Sequence, residues 1–161
     1  MAFDPIHEAR RHWEERRLGE PIAMAAATSV MRAQQLVSTA VERALRPHGL
    51  SFARYEVLML LAFTGKGSLP MTKMGERLMV HPTGISKLVD KLEDDGLVRR
   101  VADPADRRRT LATITPAGRR LAARATKAVT AVRFGVDLGD EELERLIDGL
   151  THLRHVAGDF D

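Results

Sequence analysis

An apolar stripe at helical spacing, closed by a glycine and followed by two short strand-like runs, constrains the fold more than any other feature of this chain. Residues 82–95 carry the stripe, which consists of Ile85, Leu88, Val89 and Leu92 at i, i+3, i+4 and i+7. Gly96 stands where a glycine that ends a helix belongs. The basic connector ADPADRRR joins the strand-like runs, residues 97–101 and 110–115. This order predicts a helix followed directly by a β-hairpin.

The rest of the chain is divided into helix-length pieces by proline, glycine and N-cap residues. Aromatic residues make up only 4% of the 161 residues, a composition that favours helices over strands. The predicted helices cover residues 5–17, 22–46, 52–63, 72–79, 116–134 and a last segment that begins at Gly139-Asp140, and residues 64–70 are predicted to form a loop. The fold class is therefore mainly α with a small β-hairpin wing, in the order of a winged helix-turn-helix.

The sequence lacks the motifs that characterise several classes of function. The chain has no cysteine, which excludes disulfides, thiolate nucleophiles and cysteine-based zinc sites. No catalytic motif such as a nucleophile elbow, a phosphate-binding glycine loop or HExxH is present, so we expect neither an enzyme nor a cofactor. A zinc site at the histidine pairs His7/His12 or His152/His155 is weakly supported, because each pair supplies two ligands and zinc usually takes three or four.

No stretch reaches the ~18 apolar residues of a membrane span, and the N-terminus lacks the apolar run of a secretory signal. We therefore expect a cytoplasmic protein without a membrane partner.

Positive charge is concentrated around the predicted wing. From Arg99 to Arg120 the chain carries seven arginines against two acids, whereas residues 121–161 carry more acids than bases. Solvated surface is the ordinary explanation of such a run. Three consecutive arginines at a hairpin turn, residues 107–109, repel one another and instead favour a phosphate backbone or a narrow minor groove. Asp103 and Asp106 are predicted to brace this turn by pairing with arginines, since a carboxylate would repel phosphate.

The polar face of residues 82–95 has the chemistry that reads DNA. It carries short polar groups at its N-terminal end and lysines further along: Thr83, Ser86, Lys87, Asp90 and Lys91, with Gly84 nearby. Hydroxyl groups bond bases or phosphates, and Lys87 can reach a guanine edge. An ordinary amphipathic surface helix would show a similar pattern, but the basic hairpin behind this one favours DNA reading by residues 71–109.

Residues 71–100 (MTKMGERLMVHPTGISKLVDKLEDDGLVRR) and residues 103–118 (DPADRRRTLATITPAG) resemble the multiple antibiotic resistance regulator (MarR) family. The long helices at each end strengthen the resemblance, which covers nearly the whole chain. It implies a single MarR-type domain over residues 1–161, with dimerisation helices in residues 1–48 and 117–161 and the winged helix-turn-helix in residues 49–116. It also implies a homodimer that binds a pseudo-palindromic operator in double-stranded DNA, as a repressor released by a small, anionic or aromatic ligand.

Carried over by position, the family's DNA contacts fall on two helices and the wing. They are Lys73, Pro82, Thr83, Gly84, Ser86, Lys87 and Lys91 in the helices, and Arg107, Arg108 and Arg109 in the wing. His81 departs from the serine common before this helix in the family, which puts the usual N-cap in doubt.

The extra N-terminal helix is similar to that of the urate-responsive and PecS-type group of the family. That group places a tryptophan near an acid of the second core helix and near bases of the DNA-binding lobe. The matching ligand candidates here are Trp13, Glu56, Lys87, Arg99 and Arg100. Glu56 and Lys87 stand where the group has Asp and Arg, which argues against a purine as ligand. Packing of Trp13 and a Glu56–Arg100 salt bridge are the alternatives, and a DNA-binding module without an effector is the competing function.

Overall fold

The computed structural model describes residues 3–106 and 108–160, and it confirms a mainly α fold with a small antiparallel sheet. The helices are α1 (Pro5–Glu15), α2 (Pro21–Leu45), α3 (Phe52–Phe63), α4 (Met71–Leu78), α5 (Pro82–Asp94), α6 (Pro116–Ala131) and α7 (Asp140–Val156). The strands are β1 (Ser68–Pro70), β2 (Val98–Ala102) and β3 (Thr110–Ile114), and 3₁₀ turns cover Arg46–His48 and Arg133–Gly135. Within the described ranges, no helix has the length and apolar character needed to cross a membrane.

Side-chain caps and prolines explain where several helices begin. The hydroxyl of Ser51 accepts a hydrogen bond from the backbone N–H of Arg54 at 3.3 Å at the start of α3. Thr115 accepts one from the N–H of Gly118 at 3.0 Å at the start of α6. A capping oxygen satisfies an N–H group that has no partner inside the helix. Because proline lacks that N–H, it is well placed in the first turn of α1, α2, α5 and α6.

The sheet has three strands in the order β1-β3-β2, both pairs antiparallel. The predicted hairpin is confirmed as β2 and β3, with Arg100 opposite Ala112. The prediction of a loop over residues 64–70 is wrong for residues 68–70, which form β1, with Leu69 also opposite Ala112. A three-residue strand that includes proline has no alternating pattern of its own. Its partner lies more than 40 residues further along the chain, so only the tertiary structure reveals it.

The core is mainly aliphatic and lies between helices α2 to α6 and the sheet. Its largest fully buried side chains come from α2 to α6 and β2. They are Leu45, Val57, Leu58, Leu61, Met74, Ile85, Val89, Leu92, Val98 and Val129. Close packing of this kind fixes α5 against α3 and the sheet, because interiors have few voids and resist deformation. Helix α5 is therefore held firmly against the rest of the fold.

Two apolar helix faces remain outside this core. Helix α7 has no buried residue, and the side chains of Leu146, Ile147, Leu153 and Val156 are 43, 54, 53 and 71% exposed. The first half of α2 likewise exposes Ile22 and Met31, with α1 packed along α2. Apolar faces of this size mark interaction surfaces in soluble proteins. Both lie within the ranges predicted to dimerise, residues 1–48 and 117–161, and that division of the chain stays a prediction.

Candidate nucleic-acid interface

Helices α4 and α5 meet in a tight turn that places the start of α5 on the protein surface. Met79 ends α4 in the left-handed conformation, with φ of 53°. A Cβ atom on Gly84 would lie 2.7 Å from Cγ1 of Val80, and one on Gly75 would lie 3.0 Å from the Val80 carbonyl oxygen. A side chain at Gly84 would therefore require the Val80 side chain to shift, and one at Gly75 would press on the backbone of the turn. Gly84, predicted as a DNA contact, thus also has a packing role at this turn.

Helix α5 separates its two faces as the sequence predicted. Ile85, Val89 and Leu92 are fully buried. The opposite, exposed face carries Pro82, Thr83, Ser86, Lys87 and Lys91, all of which are DNA-contact candidates. The helix begins at Pro82 after His81, whose imidazole takes the capping position that serine commonly holds. Lys73 on α4 is exposed as well and lies 3.4 Å from Glu76.

The wing turn is held in shape by its two aspartates. An Asp103 carboxylate oxygen accepts a hydrogen bond from the N–H of Ala105 at 2.9 Å, and an Asp106 oxygen accepts one from the N–H of Arg108 at 3.1 Å. The Arg108 and Arg109 side chains are exposed, with Nε atoms 3.5 and 3.9 Å from Asp106 carboxylate oxygens. Such exposed pairs orient a side chain without adding much stability. Arg107, the third predicted wing contact, lies outside the described residues.

A cleft of about 440 Å³ separates α5 from the wing, and we call it the wing cleft. Three of its lining residues, Ser86, Arg108 and Arg109, are predicted DNA contacts. The others were not predicted as DNA contacts: Pro70, Met71, Thr72, Arg100 and Thr110. The Arg108 and Arg109 side chains and three hydroxyl-bearing residues thus line one space, which is a suitable environment for a phosphodiester backbone, while the Arg100 guanidinium is bonded to α5. Thr72 and Thr110 escaped the sequence analysis because β1 and β3 bring them together only in the folded chain.

The five ligand candidates do not share one cavity. Trp13 is half-buried on α1, which packs along α2, while Glu56 on α3 lines a cavity that does not include Trp13. Arg99 is exposed on β2, and Lys87 faces outward on α5. Arg100 has its guanidinium against Asp90 and Glu93. The grouping of these five residues around one ligand therefore stays a prediction that rests on the family resemblance.

The cavity beside Glu56, which we call the aromatic cavity, measures about 330 Å³. It is lined by Phe52, Tyr55, Glu56, Met59, Leu60, Phe63, Leu78 and Phe134. Four of the chain's seven aromatic residues thus line one cavity, and of these four only Tyr55 also belongs to the otherwise aliphatic core. Glu56 is the only carboxylate among these lining residues, and partial burial raises the pKa of its side chain. The lining includes no lysine or arginine that would bind an anion.

Comparison with known proteins agrees with this geometry. The family model described as "MarR family" matches residues 48–109, which contain α3, α4, α5 and the wing turn. Sco5413, a MarR family transcriptional regulator from Streptomyces coelicolor, is 48% identical, covers 86% of this chain and 97% of its own, and superposes with a TM-score of 0.78. The chain belongs to the MarR family.

Two further MarR-like structures carry bound molecules. Sco3205 from Streptomyces coelicolor, solved in complex with DNA, is 28% identical over 80% of this chain and 82% of its own, with a TM-score of 0.73. CouR from Rhodococcus jostii RHA1, solved with p-coumaroyl-CoA, is 31% identical over 84% of this chain and 94% of its own, with a TM-score of 0.71.

The curated relatives match shorter stretches. The chain spans 59% of the length of an HTH-type transcriptional regulator from Bacillus subtilis, at 36% identity over 87 residues. This MarR family member is accordingly a DNA-binding transcriptional regulator and not an enzyme.

Proposed function

We propose that this MarR family regulator is a homodimeric repressor that leaves a pseudo-palindromic operator when a small aromatic ligand binds. The observation that carries the DNA-reading part is the wing cleft, where Ser86 of the recognition helix faces Arg108 and Arg109 of the wing. In this proposal the exposed face of α5 reads base edges in the major groove. The wing arginines contact the adjacent DNA phosphate backbone or the minor groove.

The homodimer is supported by the two apolar faces that the protomer leaves open. A groove between the 3₁₀ turn Arg133–Gly135 and α7 is lined by Phe134, Leu143, Ile147 and Leu150, among others. Its lining is almost entirely apolar, so contact with water is unfavourable. A second copy that presents the same helices would cover both faces at once, as a twofold interface requires. Two recognition helices would then face one side of the dimer.

The ligand response is supported by the position of the aromatic cavity. Its walls come from α3, from Leu78 at the end of α4, and from Phe134 in the turn that contacts α2 and α6. It therefore joins the DNA-reading helix pair to the helices proposed to dimerise. A molecule bound there would change the position of α4 relative to those helices, which is a common way for a ligand to bias a two-state protein.

The lining of the cavity favours a neutral aromatic ligand with a hydrogen-bond donor. Aromatic side chains pack favourably on another ring, and about 330 Å³ is at the small end of the usual range for ligand pockets. Glu56 can accept a hydrogen bond from a hydroxyl group, whereas it would repel a carboxylate ligand. Of the anionic and aromatic ligands predicted from the family resemblance, the aromatic kind fits this cavity and the anionic kind does not.

A matched pair of small molecules tests the ligand class. Fluorescence anisotropy would follow release of a labelled operator, chosen by selection from random duplexes, on addition of 2-naphthol or 2-naphthoate. We expect 2-naphthol to release the DNA and 2-naphthoate to leave it bound. Release by 2-naphthoate alone would contradict the proposed class, and release by neither would contradict a ligand site in this cavity.

The matched variants are Glu56→Gln and Glu144→Gln. We expect Glu56→Gln to weaken the response to 2-naphthol, because an amide is a poorer acceptor than a carboxylate. Glu144 is exposed on α7, away from the cavity lining, so its variant should respond like the natural protein. An equal loss in both variants would show that Glu56 has no specific part in binding.

A further inference from the structure

Arg100 on β2 holds three successive turns of the recognition helix. Its Nη1 atom lies 2.7 Å from Oδ1 of Asp90 and 2.7 Å from Oε2 of Glu93, and its Nη2 atom donates to the carbonyl oxygen of Ser86 at 3.3 Å. The backbone N–H of Arg100 donates to the other oxygen of Glu93 at 2.8 Å. Residues 86, 90 and 93 lie on one side of α5, since their spacings are four and three. One side chain thus connects the whole recognition helix to the wing strand.

These contacts differ from those of an ordinary surface ion pair. The Arg100 side chain is only 28% exposed, and the planar fork of a guanidinium can serve several acceptors at fixed angles, which the single ammonium of lysine cannot. Burial opposes the charge of Arg100, but hydrogen bonds to Glu93 and Asp90 still raise the pKa of its guanidinium. The backbone and side-chain hydrogen bonds from Arg100 lower the pKa of Glu93. The cluster is therefore a mutually satisfied network.

The position of the network decides what it can do for DNA binding. Arg100 lies in the wall of the wing cleft, which Ser86, Arg108 and Arg109 also line. The hydrogen bonds of its guanidinium group go to Glu93 and Ser86 on α5 and not into the space that DNA would occupy. Asp90 and Glu93 are acids on a DNA-reading helix, and pairing with Arg100 compensates charges that would otherwise repel phosphate. Arg100 thus sets both the width of the cleft and the electrostatic balance of its α5 wall.

We propose that Arg100 is a positioning residue for operator recognition, which fixes the recognition helix relative to the wing without contacting DNA itself. The proposal rests on DNA binding and is independent of the ligand response and of repression. Because base contacts require the helix and the wing to be correctly placed together, loosening this connection reduces specific binding more than non-specific binding. Non-specific binding depends mainly on total positive charge.

Arg100→Lys tests the proposal because it keeps the charge and removes the fork. We expect its affinity for the selected operator to fall about tenfold, while its affinity for a scrambled duplex stays within about twofold of the natural protein. The matched control is Arg124→Lys on α6, since Arg124 is exposed, does not line the wing cleft and makes no ion pair among the described residues. An unchanged ratio of specific to non-specific affinity in Arg100→Lys would overturn the proposal, as would an equal fall in Arg124→Lys.

The salt dependence of binding separates positioning from direct contact. If Arg100 neutralised a phosphate, Arg100→Met would lower the slope of log K against log salt by about 0.9. We expect the slope of Arg100→Met to stay within experimental error of the natural value while its operator affinity falls. A slope lowered by about one unit would overturn the proposal in favour of a phosphate contact.

A distance measurement supplies a readout that does not depend on DNA. The chain has no cysteine, so Asp94→Cys on α5 and Pro104→Cys at the exposed wing turn give two unique sites for spin labels. Labelled chains would be diluted with unlabelled chains, so that each dimer contains one labelled protomer. We expect a broader distance distribution in the Arg100→Lys background and an unchanged one in the Arg124→Lys background. Equal widths in both backgrounds would overturn the proposal, provided that circular dichroism shows folded protein.

Discussion

The Nδ1 atom of His81 accepts a hydrogen bond from the backbone N–H of Thr83 at 3.3 Å, and so caps the recognition helix. Serine commonly stands at this position in the family, so the histidine put the usual N-cap in doubt. An imidazole nitrogen without a proton performs the same task as a hydroxyl oxygen, since both accept from an N–H group that the helix itself leaves unpaired.

The first prediction concerns this cap. His81→Ala should lower the free energy of unfolding by about 0.5 to 1 kcal/mol, the usual cost of losing an N-cap, while His81→Ser should keep most of the stability. Urea denaturation at neutral pH measures both variants. Equal stability of His81→Ala and the natural protein would show that the imidazole does not cap the helix in solution.

The second prediction concerns the wing. Arg108→Ala should weaken binding to operator and non-operator DNA alike and lower the salt slope by about one unit, because a phosphate or minor-groove contact releases counterions. Arg124→Ala is the control, since Arg124 is exposed on α6 and does not line the wing cleft. Anisotropy titrations over a range of salt concentrations give the slopes. An unchanged slope in Arg108→Ala would contradict a contact between Arg108 and DNA.

The third prediction distinguishes base reading from backbone contact on α5. Lys87→Ala should change which sequences are selected from a random duplex library, because Lys87 projects from the exposed face that is proposed to enter the major groove. Comparing the selected sequences of the variant and the natural protein measures this directly. Weaker binding with the same selected sequence would make Lys87 a phosphate contact.

The fourth prediction concerns pH. Burial raises the pKa of Glu56 in the folded state, so the folded protein binds this proton more tightly than the unfolded chain does. The stability that this preference contributes is present below the unfolded pKa of about 4.3 and is lost as pH rises through the folded pKa. Glu56→Gln should therefore be more stable than the natural protein at pH 7 and no more stable at pH 4. An equal difference at both pH values would contradict the burial effect.

The fifth prediction concerns assembly. Leu153→Glu places a charge on the exposed apolar face of α7 and should convert the proposed dimer into monomers, because burying an unpaired carboxylate is unfavourable. His155→Glu is the control, since residues two apart on a helix point to nearly opposite sides and residue 155 is also exposed. Light scattering at micromolar concentration reports the mass of each variant. A natural protein that is monomeric under these conditions would itself contradict the dimer.

Local patterns predicted much of the fold. The start of α6 follows from Thr115 and Pro116, and the two faces of α5 follow from a single apolar stripe. These features depend on residues within one or two turns of each other, so a sequence displays them directly. The predicted bounds of most helices lie within one or two residues of the observed ones.

The elements that sequence reasoning missed depend on distant contacts. Strand β1 forms only because Leu69 meets Ala112. Arg100, predicted to bind a ligand, has its charge satisfied by Asp90 and Glu93, and nothing in the spacing of these residues shows that β2 runs beside that face of α5. The aromatic cavity likewise joins Phe52 to Phe134 across the fold. Such juxtapositions are properties of the packed structure and not of local sequence.

Footprinting on a selected operator tests the central claim most directly. A dimer that reads DNA through α5 and the wing should protect two patches whose centres lie one helical turn apart, about 34 to 36 Å along the duplex, in a sequence with two inverted half-sites. Arg108→Ala and Lys87→Ala should weaken both patches together. A single protected patch, or protection without any inverted repeat, would contradict the account of a twofold regulator that reads DNA through residues 71–109.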